Sequence, residues 1–173
     1  MTCSNCRKKP VWEFTNQTQL CKSCFKDYFE RKILRTIREF KILPKDMIFK
    51  IDKGHSLNTK VLKFVLEMKF AVKTSFRPNI SSDNLSKVAE DIFLNILKGN
   101  FLGFKFSYDK PLCFLSDDEV ELYAEINNIN GKKRIKNKKI CELLKRFSVK
   151  NPDIEHNIIN SFFQLYSHKN SLK

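Results

Sequence analysis

Residues 47–72 read MIFKIDKGHSLNTKVLKFVLEMKFAV, and this stretch decides the fold class. Met47 to Ile51 suits a short strand, and Val61, Leu62, Val65, Leu66 and Met68 recur at helical spacing behind a cap at Ser56 or Asn58. Phe70-Ala71-Val72 reads as a second strand. Strand, loop, helix, strand is the βαβ unit of an open parallel α/β sheet, and such folds seat a nucleotide phosphate in the loop after the first strand. Here that loop is Asp52 to Thr59, in which Gly54 is the sole glycine. A phosphate cradle needs glycines so that successive N–H groups converge, and a lysine to balance charge. His55 has no partner in sequence to single it out as a base and reads as an exposed loop residue.

Towards the N-terminus, Cys3, Cys6, Cys21 and Cys24 form a C-x2-C-x14-C-x2-C array. Two such pairs complete a tetrahedral thiolate site that is closed and structural, so the array reads as a zinc knuckle. Two disulfides would need an oxidising compartment. No secretory signal precedes the array, and a reducing, cytoplasmic setting is expected. Val11-Trp12-Glu13-Phe14 alternates apolar and polar and predicts a short hairpin carrying the second pair back to the first, with Trp12 over the metal site. Phe25, Tyr28, Phe29, Ile33, Ile37 and Phe40 then predict a helix to about Phe40. Arg31, Arg35 and Arg38 stack on one side of it, where phosphates could be met; a solvated face would show the same spacing.

Lysine and arginine outnumber aspartate and glutamate by 33 to 19 over 173 residues, a formal charge of +14 that favours a polyanionic partner or else reflects a basic composition. Sixteen phenylalanines and 42% hydrophobic residues exclude a disordered chain. No apolar run approaches the ~20 residues that span a bilayer, so no membrane partner is expected.

Beyond residue 80, a helix from Ser82 or Asp83 buries Leu85, Val88, Ala89, Ile92, Phe93, Ile96 and Leu97 and stops at Gly99. Phe101 to Tyr108 reads as loop, with a strand allowed at Phe104 to Ser107. Ser116-Asp117-Asp118-Glu119 is a capping box opening a helix that buries Val120, Tyr123, Ala124 and Ile126, which explains the acidic cluster without a metal. Gly131 to Lys139 carries six positive charges in nine residues, Lys132, Lys133, Arg134, Lys136, Lys138 and Lys139, and is either a track for a nucleic-acid backbone or a solvated loop. Helices over Lys138 to Phe147 and after the cap pair Asn151-Pro152 complete the chain. Cys113 and Cys141 lack partners at ligand spacing and read as buried thiols.

Four stretches resemble one family: Cys3-x2-Cys6 with Cys21-Lys-Ser-Cys24-Phe; Tyr28 to Ile37; Val88 to Gly99; and Lys110-Pro-Leu112 with Asp118 to Ala124. In this order they are similar to the tRNA 2-thiouridine synthetases of the PP-loop ATPase superfamily, the archaeal and eukaryotic group that opens with a zinc-binding cysteine array. Asn151-Pro-Asp with Asn157 to Phe162 resembles that family's closing helix. The resemblance implies a PP-loop α/β fold in shortened form: a zinc knuckle over 1–26, a basic entry helix over 27–43 and the α/β domain with a helical C-terminal part over 44–173.

Family members use ATP to adenylate a tRNA uridine and replace its oxygen with sulfur, through an S-G-G-K-D-S loop. Here the corresponding stretch is Gly54-His-Ser56-Leu-Asn58-Thr59, with Leu57 at the lysine position and Asn58 at the aspartate position. Both the phosphate cation and the magnesium carboxylate are thereby lost, which leaves ATP binding in doubt. The family's G-H-N motif corresponds to Ser82 to Lys87, where Asn84 survives. Between Val72 and Asn79 there is no room for the family's catalytic C-x2-C segment, so no iron–sulfur cluster is expected. No cysteine pair follows Cys141, so the family's second zinc module is missing too. The resemblance thus implies a structural zinc ion and a non-catalytic protein that binds tRNA or pairs with an active thiolation subunit. Against it stand an active uridine 2-sulfurtransferase with a divergent loop, and a zinc-dependent protein-interaction module.

Overall fold

The computed structural model describes residues 2–100 and 107–170, with side chains to Leu165. The chain divides into two compact units, one formed by residues 1–84 and 108–134, the other by 85–107 and 135–173.

The first unit opens with a hairpin, β1 (Trp12–Glu13) antiparallel to β2 (Gln19–Leu20), followed by α1 (Lys22–Glu39). Phe25, Phe29, Ile33 and Ile37 fall on the buried face of α1, as the three- and four-residue spacing requires. Trp12 packs against Phe14 and Phe25, with ring centroids 6.1 and 5.5 Å apart. Then come β3 (Ile48–Asp52), α2 (Leu57–Glu67), β4 (Ala71–Ser75) and α4 (Asp117–Ile126), with α3 (Leu85–Leu97) lying between the last two in sequence but in the other unit.

β3 and β4 pair in parallel from Ile48↔Ala71 to Asp52↔Ser75, so the βαβ unit is present. Among the described residues its sheet has two strands only. Asn79 covers the other edge of β3, its Oδ1 accepting from Lys50 N–H at 2.8 Å and its Nδ2 donating to the Ile48 carbonyl at 3.1 Å. That caps backbone groups a third strand would otherwise use.

Helix α4 begins with the expected capping box, Ser116 accepting from Glu119 N–H and Glu119 from Ser116 N–H. Glu119 has a second task. Only 3% exposed, it accepts the Tyr28 hydroxyl at 2.7 Å and lies 3.7 Å from the Lys32 ammonium, fixing α1 to α4. Tyr123 repeats the pattern in reverse, donating to Glu30 at 2.7 Å and stacking on Phe29. Burial, then the neighbouring carboxylate, raises the pKa of both phenols, so both stay protonated donors.

The second unit packs α3, α5 (Lys138–Ser148) and α6 (Ile154–Asn170). Val88, Ala89, Ile92, Ile140, Leu144, Ile159 and Phe162 are buried. Ser86 donates to Glu155 at 2.7 Å, and Glu90 accepts from Asn137 N–H at 3.0 Å. Gly99 takes φ 67° after α3, the left-handed stop its sequence position predicts. The strand allowed at Phe104 to Ser107 lies outside the described residues, save Ser107. No helix among the described residues is long and apolar enough to cross a membrane.

Candidate functional site

The hairpin and the start of α1 bring four cysteines together. Arg7 adopts φ 61° and donates its N–H to the Cys3 carbonyl at 3.0 Å, closing the first Cys-x2-Cys turn. Ser4 ties that turn to β2, its N–H donating to the Gln19 carbonyl and its Oγ accepting from Gln19 N–H. Cys21 is the N-cap of α1 and Cys24 lies in its first turn. All four sulfurs lie within 4.8 Å of one another, Cys6 to Cys21 at 3.3 Å and Cys6 to Cys24 at 3.6 Å. The Ser23 hydroxyl, followed by the Cys24 N–H, lowers the Cys21 pKa to about 6. The hydrogen bond with Cys6, followed by burial, pushes Cys24 up to about 12. Four sulfurs converging on one point suit a metal centre, which would take them as thiolates. By contrast Cys113 is fully buried, and burial pushes its thiol to about 12, as expected of an inert core cysteine.

Arg31, Arg35 and Arg38 are exposed on α1, opposite its buried stripe. Arg35 is tied to Glu39 at 2.7 Å. Lys32 is turned inward and donates to the Tyr28 hydroxyl at 2.6 Å.

The loop after β3 is closed by its own chain. Ser56 caps α2, its Oγ accepting from Thr59 N–H at 3.1 Å, while Lys60 N–H donates to the Ser56 carbonyl. Leu57 N–H donates to the Lys132 carbonyl at 2.7 Å and Lys132 N–H to the His55 carbonyl at 3.0 Å, a parallel bridge across the mouth of the helix. Gly131 permits that approach, since a Cβ there would sit 2.7 Å from Leu57 Cα. Gly54 N–H is taken by the Asp52 carboxylate at 3.1 Å. The Leu57, Thr59 and Lys60 amides, donors that a phosphate at this helix N-terminus would use, are therefore spent within the chain. Leu57, Asn58 and Thr59 are buried, and the Thr59 hydroxyl contacts the Ser56 and Ser82 hydroxyls at 2.8 and 2.9 Å. His55 is exposed. The nearby depression, about 490 Å³, is lined by Asp118, Glu121 and Glu125 with Lys133 as the one cation among its described lining residues, a net negative set that disfavours a polyphosphate.

Asn84, which the resemblance aligns with a family motif, is fully buried and donates to Asp117 at 2.8 Å. Arg134 joins it, donating from Nε to both Asp117 oxygens at 2.8 and 3.0 Å with a side chain 12% exposed. Of the basic stretch, Lys132 is exposed, Lys133 pairs with Glu121, and Arg134 is turned inward, all in the first unit. Lys136, Lys138 and Lys139 are exposed in the second. The inward turns of Lys32 and Arg134 escape sequence reasoning because Glu119 and Asp117 read fully as capping residues. The backbone role of Lys132 has one signal in sequence, the adjacent glycine.

No protein-family profile matches this chain. It is 27% identical over 188 residues to a "Probable sulfurtransferase" of Methanocaldococcus jannaschii, a match covering 96% of this chain and 53% of that protein. The chain thus spans about half the length of the curated relative it matches. Its fold is similar to that of the U34-tRNA thiolase NcsA from Methanococcus maripaludis, solved with its [4Fe-4S] cluster. That likeness has a TM-score of 0.77 at 16% identity, over 97% of this chain and 88% of the other.

These findings correct the expectation of a zinc ion and no iron–sulfur cluster. The structural neighbour carries such a cluster, and the four converging cysteines here are a donor set that iron–sulfur clusters take as readily as structural zinc does. Spacing alone reads the ligands and not the metal.

Proposed function

We propose that this chain is a tRNA-binding protein related to tRNA thiolation that acts without a nucleotide site of its own, on tRNA directly or beside an active thiolation subunit. The likeness to a sulfurtransferase and to a tRNA thiolase supports the connection with tRNA. One observation carries the non-catalytic part: the Lys132 carbonyl and the Ser56 side chain take the Leu57 and Thr59 amides at the helix N-terminus where a phosphate would sit. The cysteine cluster holds a thiolate-bound metal centre that shapes the N-terminal end of α1. Arg31, Arg35 and Arg38 meet the tRNA backbone, and Lys132, Lys133, Lys136, Lys138 and Lys139 supply further phosphate contacts. Arg134 belongs with Asp117 and helps hold the closed loop.

Filter binding of the purified protein to tRNA over a salt series tests this reading. The logarithm of affinity should fall linearly with that of salt concentration, at a slope of about −0.7 to −0.9 per phosphate contact. An affinity for tRNA no better than for polyglutamate at moderate salt would contradict it.

A further inference from the structure

We propose that Phe76 is a stacking platform for an unpaired RNA base, flanked by Lys53 and Arg77 as phosphate contacts, at the C-terminal end of the β3–β4 pair. This rests on the RNA-binding reading above and adds to it residues other than the α1 arginines and the 132–139 stretch.

The register of the sheet makes the site. β3 and β4 are parallel and end together at Asp52↔Ser75, so the next residues, Lys53 and Phe76, leave the sheet side by side. The Lys53 ammonium lies 3.8 Å from the Phe76 ring centroid, well within cation–π range. Phe76 is 83% exposed, whereas Phe25, Phe29 and Phe49 are wholly buried. Arg77 follows, exposed, its N–H donated to the Ser75 Oγ at 3.1 Å, which fixes the turn that presents the ring. The carboxylate of this group, Asp52, is occupied by Gly54 N–H.

A solitary exposed phenylalanine is unremarkable by itself. One with a cation over it and an exposed arginine next in the chain matches the composition of single-strand sites, where bases stack on aromatic rings and basic groups follow the backbone. A duplex keeps its bases stacked internally and offers no face to the ring. A membrane is a poor occupant, since the residues around the ring are lysine, arginine, serine and proline.

Because Phe76 contributes little buried surface, its removal should leave the fold intact, which a thermal melt confirms. With the full chain, Phe76→Ala should weaken binding to tRNA and to a single-stranded oligouridylate by about tenfold, while Phe76→Tyr retains it. Affinity for a blunt RNA duplex should not change. In Phe76→Trp, oligouridylate should quench fluorescence beyond any change seen with Trp12 alone. Wild-type protein that binds tRNA, with Phe76→Ala binding equally well, overturns this inference and leaves the broader reading standing. Unchanged RNA affinity with loss of a protein partner assigns the ring to a protein contact and also overturns it. Wild-type protein that binds no RNA at all removes both.

Discussion

Stripping the metal from the cysteine cluster, or replacing Cys21 by serine, should unfold the N-terminal knuckle while α1 stays attached to the first unit. The knuckle has little else to hold it: strands of two residues each and a few turn hydrogen bonds, far below what a hairpin needs to stand alone. For small cysteine-ligated modules, metal-binding free energy is of order 10–16 kcal/mol and amounts to folding free energy. Helix α1, by contrast, is anchored by Phe29, Ile33 and Ile37 and by the Tyr28–Glu119 and Tyr123–Glu30 bonds. Trp12 is the sole tryptophan and packs on Phe25, so its emission reports the knuckle alone. Chelation should shift that emission to the red and expose Cys3, Cys6, Cys21 and Cys24 to a thiol reagent, with Cys113 still protected. Unchanged Trp12 emission in metal-free protein would contradict a structural role for the centre. Iron, sulfide and zinc analysis of protein purified without oxygen identifies the metal.

Reversing Arg31 and Arg38 to glutamate together should weaken tRNA binding by about a hundredfold at low salt and flatten the salt slope by about two, one contact for each arginine. Both side chains are exposed on α1, so the melting temperature should hold. Arg35→Glu should cost less binding, because Glu39 already neutralises part of its charge, and should place two like charges four residues apart. Equal affinity of the double variant and the wild type would assign these arginines to a solvated face.

Most elements are legible in sequence because local periodicity and capping decide them. The stripe from Phe25 to Ile37, the Ser116 capping box and the Gly99 stop lie where spacing and turn chemistry place them. The parallel pairing of β3 and β4 follows from strand, helix and strand alone, although β4 runs on to Ser75, past Val72. What sequence conceals are the pairings of distant residues. Glu119 serves as both cap and buried acceptor for Tyr28, 91 positions away. Arg134, in the densest run of positive charge, is taken out of it by Asp117. In sequence, Leu57 and Asn58 stand where the resembled family carries lysine and aspartate, and on this the proposal of a lost nucleotide loop rests. Only coordinates place the 131–132 backbone in its mouth, because a carbonyl that accepts Leu57 N–H leaves no pattern of side chains behind it. The metal is hidden for a simpler reason: zinc and iron–sulfur clusters take the same four thiolates, so the spacing reads the ligands and does not exclude a cluster.

The helix N-terminus after β3 is filled by its own chain, with the Lys132 carbonyl on Leu57 N–H. Titration of the purified protein with magnesium ATP to millimolar concentration, followed by calorimetry and by melting temperature, tests it most directly. No heat of binding and no rise in melting temperature are expected, alone or with tRNA present. Saturable binding, or a nucleotide-dependent stabilisation that grows as RT ln(1 + [L]/Kd), would contradict the claim and restore an ATP-using enzyme.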